Sequence, residues 1–396
     1  MLACVTPRRQ SGLHSMGMNI CSRESARIRF STRNVSDKLL GMRRILTTHT
    51  ISFVILTAWF VPACSGDGST SSGGHGGTGN SGGDGGGLFI DGGTSGGGGS
   101  GGDALLIYAS TDTTLYRLDP TSADLTVTEI GQFDCIGSGA DQYKAMTDIA
   151  VDRDQHLWGV TGHIIMPLTI GPGGTVACGA RTKLVNGEPG QSLPTFYALT
   201  MAPVGVIDPN VEVLMAADSA GKLWAIDAAG KTTQHGSFGN VPADDGNGYT
   251  YDSANVGKVW EISGDIVFLA NKGNPIGFAT VRDCPDPPSS SGCNNTDTLL
   301  EIDMTKLATP GTSVVAKAIR GAIVKASGCA DSVTKYGSMY GIAAWNDQVY
   351  GFSRTGLLVG INTNLGGACL VQDYPALAFS GAGVTTLAPV LPPPPK

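Results

Sequence analysis

The 396-residue chain carries 26 basic and 33 acidic side chains, a net charge of −7, together with 58 glycines and nine cysteines. Its first 63 residues hold nine of the basic and two of the acidic groups, which leaves 17 against 31, a net of −14, on the rest. An acidic body with no basic run offers little to phosphates, which sets nucleic acid and anionic lipid headgroups aside as partners.

Residues 1–41 form a Ser- and Arg-rich extension of no clear design, read as a mis-assigned start or leader extension, and Met42 is the start that gives the next segment an ordinary length. Residues 42–63 then have the layout of a secretory signal peptide: the basic head Met42-Arg43-Arg44, followed by the almost wholly apolar run from Ile51 to Val61. An uncleaved anchor is the competing reading, since Ile45 to Ala63 approaches membrane length, but His49 and three threonines weaken its first half. The segment ends on Val61-Pro62-Ala63-Cys64, which resembles a bacterial lipoprotein signal, with Pro62 the less usual residue. The resemblance implies cleavage before Cys64 and acylation of its thiol, so that buried methylenes at ~0.8 kcal/mol each hold the chain on a membrane. Ser65, standing where an inner-membrane retention signal has Asp, implies the outer membrane, on its periplasmic or cell-surface face.

Residues 64–103 continue as a lipidated cysteine and a Gly/Ser-rich linker that buries too little to fold. As a flexible coil it has a reach of about 35 Å. Residues 104–390 read as one all-β domain, with short apolar strands punctuated by Gly, Asp, Asn and Pro, and residues 391–396 as a proline-rich tail. One unit recurs as Tyr116-Arg117-Leu118-Asp119, Trp224-Ala225-Ile226-Asp227, Leu300-Glu301-Ile302-Asp303 and Val359-Gly360-Ile361-Asn362. Alternation places its first and third side chains on one sheet face, while the Asp or Asn bonds its own backbone in the turn that follows. Preceding it comes a buried-type run, Leu157 to Val160, Leu214 to Ala217, Val267 to Ala270 and Val349 to Phe352. Before two of these stand the matching stretches Met146-Thr147-Asp148-Ile149-Ala150 and Met339-Tyr340-Gly341-Ile342-Ala343.

Repetition of this kind points to radial packing. The region resembles a β-propeller of the broad class that includes NHL, YVTN and gluconolactonase-like proteins. The repeats suggest five blades of about 57 residues, with six as the other count and a two-sheet β-sandwich as the competing architecture. Val384 to Ala388, with no blade after it, is expected to close the ring on Leu105 to Tyr108. The repeat also pairs the six cysteines beyond Cys64 as Cys135–Cys178, Cys329–Cys369 and Cys284–Cys293, an even set suited to an oxidising compartment.

Catalytic motifs are absent from residues 104–390, which contain no G-x-S-x-G and no H-E-x-x-H. The phosphate-loop-like Ala225 to Thr232 lacks a helix after its Lys-Thr pair, as phosphate binding would need, and is explained by the Asp-plus-turn unit. Asp148, Asp152, Asp154 and Glu261 are the candidate metal ligands, with Ca2+ the cation such oxygens take, although Asp and Asn also serve plain turns. Two functions follow. The first is a lipid-anchored, non-enzymatic propeller that binds a protein, glycan or small ligand. The alternative is an exported metal-dependent lactonase or lyase, which requires acidic or His side chains from several blades to converge on one point.

Overall fold

The computed structural model describes residues 105–137, 144–187, 190, 192–285 and 292–390. The export signal, Cys64, the linker and the proline-rich tail lie outside them. Among the described residues no helix is long and apolar enough to cross a membrane.

Among the described residues the strands form four hydrogen-bonded sheets, one of nine strands, one of five and two of four, in which the chain runs as successive antiparallel meanders of four. The first holds β1 (Ile107–Thr111), β2 (Thr114–Leu118) and β3 (Val127–Phe133). The second is β4 (Asp148–Val151), β5 (Leu157–Val160), β6 (Ile164–Ile170) and β7 (Thr175–Cys178). Two short strands, β8 (Thr182–Lys183) and β9 (Val185–Asn186), lead to the third meander: β10 (Phe196–Ala202), β11 (Val213–Asp218), β12 (Lys222–Ile226) and β13 (Lys231–Ser237). The fourth is β14 (Glu261–Leu269), β15 (Ile276–Arg282), β16 (Thr298–Ile302) and β17 (Ala316–Ala322), with the single turn α1 (Met304–Leu307) after β16. The fifth is β18 (Met339–Trp345), β19 (Gln348–Ser353), β20 (Leu357–Asn362) and β21 (Ala368–Asp373).

The last strand, β22 (Phe379–Val384), returns to pair with β1, Val384 opposite Ile107, and becomes the innermost strand of the first meander. The first and last strands thereby clasp the ring. Around the axis β22, β4, β10, β14 and β18 pack each against the next, and β18 meets β22 again. The chain is therefore a β-propeller and not a sandwich of two sheets. Of the stretch expected to close the ring, only Val384 does so; the pairing runs upstream of it, through Phe379 to Gly383.

The sequence units map onto strand positions. The Asp-plus-turn unit ends β2, β12, β16 and β20, the third strand of its meander each time. There Asp119 accepts the Thr121 amide at 2.8 Å, Asp227 the Ala229 and Lys231 amides at 2.9 and 2.8 Å, and Asn362 the Asn364 amide at 2.9 Å. Val267 to Ala270 departs from the pattern. The other three runs lie on the second strands β5, β11 and β19, whereas Val267 to Leu269 lies on innermost β14, whose nine residues are all buried, so that its carboxyl end reads like a second strand. The phosphate-loop-like residues form the end of β12, a turn and the start of β13.

Apolar side chains fill the spaces between successive meanders, as in the cluster of Leu118, Val349, Phe352, Leu358 and Phe379 that joins the fifth to the first. Phe379 packs edge-on to Phe352, Tyr116 and Tyr374 at 5.4, 6.3 and 6.3 Å between centroids. Outer edges are covered too: β7 runs parallel to β3, β9 parallel to β13, and Val314 bridges Ser237. Covered edges leave few free amides for another chain's strand.

Candidate functional site

Innermost strands carry chemistry because their side chains meet at the axis. Asp148 opens β4 and Asp265 sits mid-way along β14, and both are fully buried. The Asp148 carboxyl accepts the Leu199 amide of β10 at 2.5 Å through Oδ2 and the Ala382 amide of β22 at 3.1 Å through Oδ1. Asp265 accepts its neighbour Ile266 at 2.6 Å and the Ile342 amide of β18 at 2.8 Å. The two carboxyls meet where β18 and β22 approach most closely: Asp265 holds the Ile342 amide, Asp148 the Ala382 amide, and a Cβ on Gly341 would lie 2.6 Å from the Ala382 nitrogen. One pair of side chains thus ties all five innermost strands together.

Burial, above all, holds both carboxyls well above the ordinary carboxylate range, and for Asp148 the facing charge of Asp265 adds to it. Small residues let the strands approach this closely. A Cβ on Gly381 would lie 2.1 Å from Asp148 Oδ1, and one on Gly264 2.2 Å from the Met339 carbonyl oxygen. Close backbone approach is what glycine in a strand permits.

At the end where the innermost strands begin, the fourth meander buries a second polar cluster. Glu261 pairs with Arg282 at 2.5 Å, and the two residues face each other across β14 and β15. Asp297 accepts the Ser263 hydroxyl and, at 2.7 Å, the Met339 amide; burial pushes its carboxyl up to about 6. Asp283 accepts the Asn255 side-chain amide at 3.1 Å.

Where the innermost strands end, the surface is concave. Arg153 after β4, Pro203, Val204 and Gly205 after β10, Ala270 after β14 and Thr386 and Leu387 after β22 surround a cavity of about 240 Å³. Glu212 forms one wall, accepting the Arg153 amide at 2.8 Å and the Thr386 hydroxyl. Burial raises its carboxyl, and those two donors partly offset the rise. Residues 385–389 cross this mouth as a strap, Thr386 accepting the Ala270 amide at 2.8 Å and Pro389 the Asn346 amide at 2.6 Å. A second cavity of about 600 Å³ shares Gly205, Gly273 and Pro275 with the first and runs outward to Ile302, Met304, Glu301 and Lys317. Together they make one groove from the axis toward the rim of the fourth meander. Val204 and Leu387, 37% and 49% exposed, give it an apolar floor at the axial end.

The four candidate metal ligands stand in three places. Asp148 is at the axis with both oxygens taken. Asp152 closes the β4–β5 turn, accepting the Asp154 and His156 amides at 2.9 and 2.8 Å and the His156 ring at 2.9 Å, with Asp154 beside it in the same turn. Glu261 lies at the opposite end of the channel from that turn, held by Arg282. Sequence alone did not single out Asp265, Glu212, Arg282 or Asp297. A signal for the first existed: Asp265 directly abuts the apolar run Ile266 to Leu269, which draws its carboxyl into a buried strand.

The cysteines pair as Cys135–Cys178, Cys284–Cys293 and Cys329–Cys369, with Cα separations of 5.8, 4.1 and 5.5 Å. Three disulfides suit an oxidising compartment. Carboxylates approach two of these bridges, Asp134 near Cys135–Cys178 and Glu261 near Cys284–Cys293, but a bonded sulfur is no thiolate ligand.

No family model matches the chain, and no curated protein matches it. Among the solved structures that match is a crystal structure of BBS1N in complex with ARL6DN, soaked with lead. It aligns with a TM-score of 0.29 and 10% identity over 66% of this chain and 60% of that one. The chain therefore spans about three fifths of that solved chain's length. At such a score the likeness carries no weight, and the propeller follows from the strand pairing.

Proposed function

We propose that this chain is an exported, lipid-anchored propeller of five blades, one per meander, whose groove binds an extended segment of a partner protein. The observation that carries this reading is the groove itself, an open, elongated depression with apolar residues along its floor and Arg153, Glu212, Glu301 and Lys317 along its walls. Such a mixed lining suits a peptide, whose backbone needs polar partners and whose side chains need apolar ones. A metal-dependent lactonase or lyase would need its carboxylates around one point. Here, of the four candidate ligands, Asp148 bonds backbone amides, Glu261 is paired with Arg282, and Asp152, with Asp154 beside it, shapes a turn.

Cys64 is the proposed anchor, and the 39 residues of linker that follow it hold the groove clear of an outer-membrane surface. Labelling with a radioactive fatty acid tests that half: incorporation lost in Cys64→Ser supports the anchor, and incorporation retained overturns it. Selection of a phage-displayed peptide library on the full chain tests the groove. Selected peptides should bind at least tenfold more weakly to Leu387→Arg than to Ile170→Arg, a control at an exposed residue outside the groove. Peptides indifferent to Leu387→Arg, or none selected, would overturn the binding reading.

A further inference from the structure

The axial carboxyls are absent from the groove's chemistry, yet both are fully buried, and burying a carboxylate is costly. Two carboxylates facing each other in a dry interior cannot both stay ionised, and such a pair keeps one proton between them. Among the described residues no arginine, lysine or histidine forms an ion pair with either carboxyl. On β4 the sole titratable group is Asp148; β22 has none; β10 offers the phenol of Tyr197, which is 38% exposed. On β18 Tyr340 lies under Arg354, whose guanidinium is held by Asp112 at 2.5 Å. On β14 Glu261 is spent on Arg282.

We propose that the Asp148–Asp265 pair holds a single shared proton that locks the five innermost strands into a closed ring, making the ring a pH-sensitive fastener. With the proton in place, one carboxyl donates to the other while both keep accepting amides from β10, β22, β14 and β18. Removing it places two negative charges against each other at the axis, and the strands they join are pushed apart. No bond other than O–H breaks, and the proton leaves to solvent as the ring loosens.

The sign follows from linkage. The native pair binds a proton that the unfolded chain releases above the ordinary carboxylate range, so stability is greatest in acid and falls as pH rises, by up to about tenfold in the folding equilibrium per pH unit. Burial raises both carboxyls in the direction this requires. Asp297, at about 6, contributes in the same sense below that pH, so the pair is best observed above it.

The test is infrared spectroscopy of the full chain at pH 8, with the folding equilibrium followed in urea from pH 6 to 9. The wild type should show a carboxylic-acid C=O band that Asp148→Asn and Asp265→Asn each remove, and its folding equilibrium should fall with pH more steeply than theirs. A wild type with no protonated carboxyl at pH 8 overturns the proposal, even where a variant fails to fold. Equal pH slopes in wild type and either folded variant overturn it as well.

Discussion

At the axis, Asp148 and Asp265 hold amides of strands that lie between 51 and 234 residues away. In the turns that leave the third strands, Asp119, Asp227 and Asp303 hold amides two to four residues along their own chain. The side chain is the same and its work is opposite. Burial raises the axial carboxyls, whereas hydrogen bonds from Thr121 and Thr305 hold Asp119 and Asp303 below the ordinary range in water. Raised groups stabilise most in acid and lose that contribution as pH rises. Lowered groups stabilise above the ordinary range and lose it as pH falls. Acid therefore favours the ring while weakening its rim, and solvent access decides which way each aspartate acts.

The contrast can be broken at its strong end first. Asp148→Ala orphans the Leu199 and Ala382 amides in a dry interior, at roughly 1 to 3 kcal/mol for each. Urea unfolding should show a loss of about 2 to 6 kcal/mol, much of a domain's stability. Next come the disulfides. Loss of Cys329–Cys369, whose partners are 40 residues apart, should cost roughly 4 kcal/mol by loop entropy, and loss of Cys284–Cys293, 9 apart, roughly 2.6. Melting of Cys→Ser pairs, compared under one buffer, checks the ranking.

Gly381→Ala probes how tightly the axis is packed, since its Cβ would fall 2.6 Å from the Asp148 Cα, which cannot swing aside. A cost of about 1 to 3 kcal/mol is expected. Gly383→Ala, where the nearest atom is the Ile149 carbonyl oxygen at 3.0 Å, should cost less, and equal costs would mean the strands do not pack as described. Asp227→Ala lies at the weak end. Its turn amides reach water when freed, so unfolding should change by ~1 kcal/mol or less.

The repeated units were legible because each is local. An alternating triplet followed by Asp or Asn states a strand and its turn without help from the rest of the chain, and four such units end four third strands. The axis was legible only in part. Asp148 could be assigned to an innermost strand from its likeness to the Met339 stretch, but its partners Leu199, Ala382 and Asp265 come from three other strands that no local pattern joins to it. The Val267 run misled for the same reason: a strand buried along all nine residues gives no alternation to reveal its place. The groove left no trace in the sequence, being built from residues after the innermost strands of four different meanders together with β16 and β17.

Metal analysis of the full chain, paired with melting in Ca2+ and in chelator, tests most directly whether the axial carboxyls fasten the ring or hold a cation. The account predicts no stoichiometric metal and the same melting temperature in both. One bound calcium per chain, with a melting temperature that falls in chelator for the wild type but not for Asp148→Asn, would contradict it.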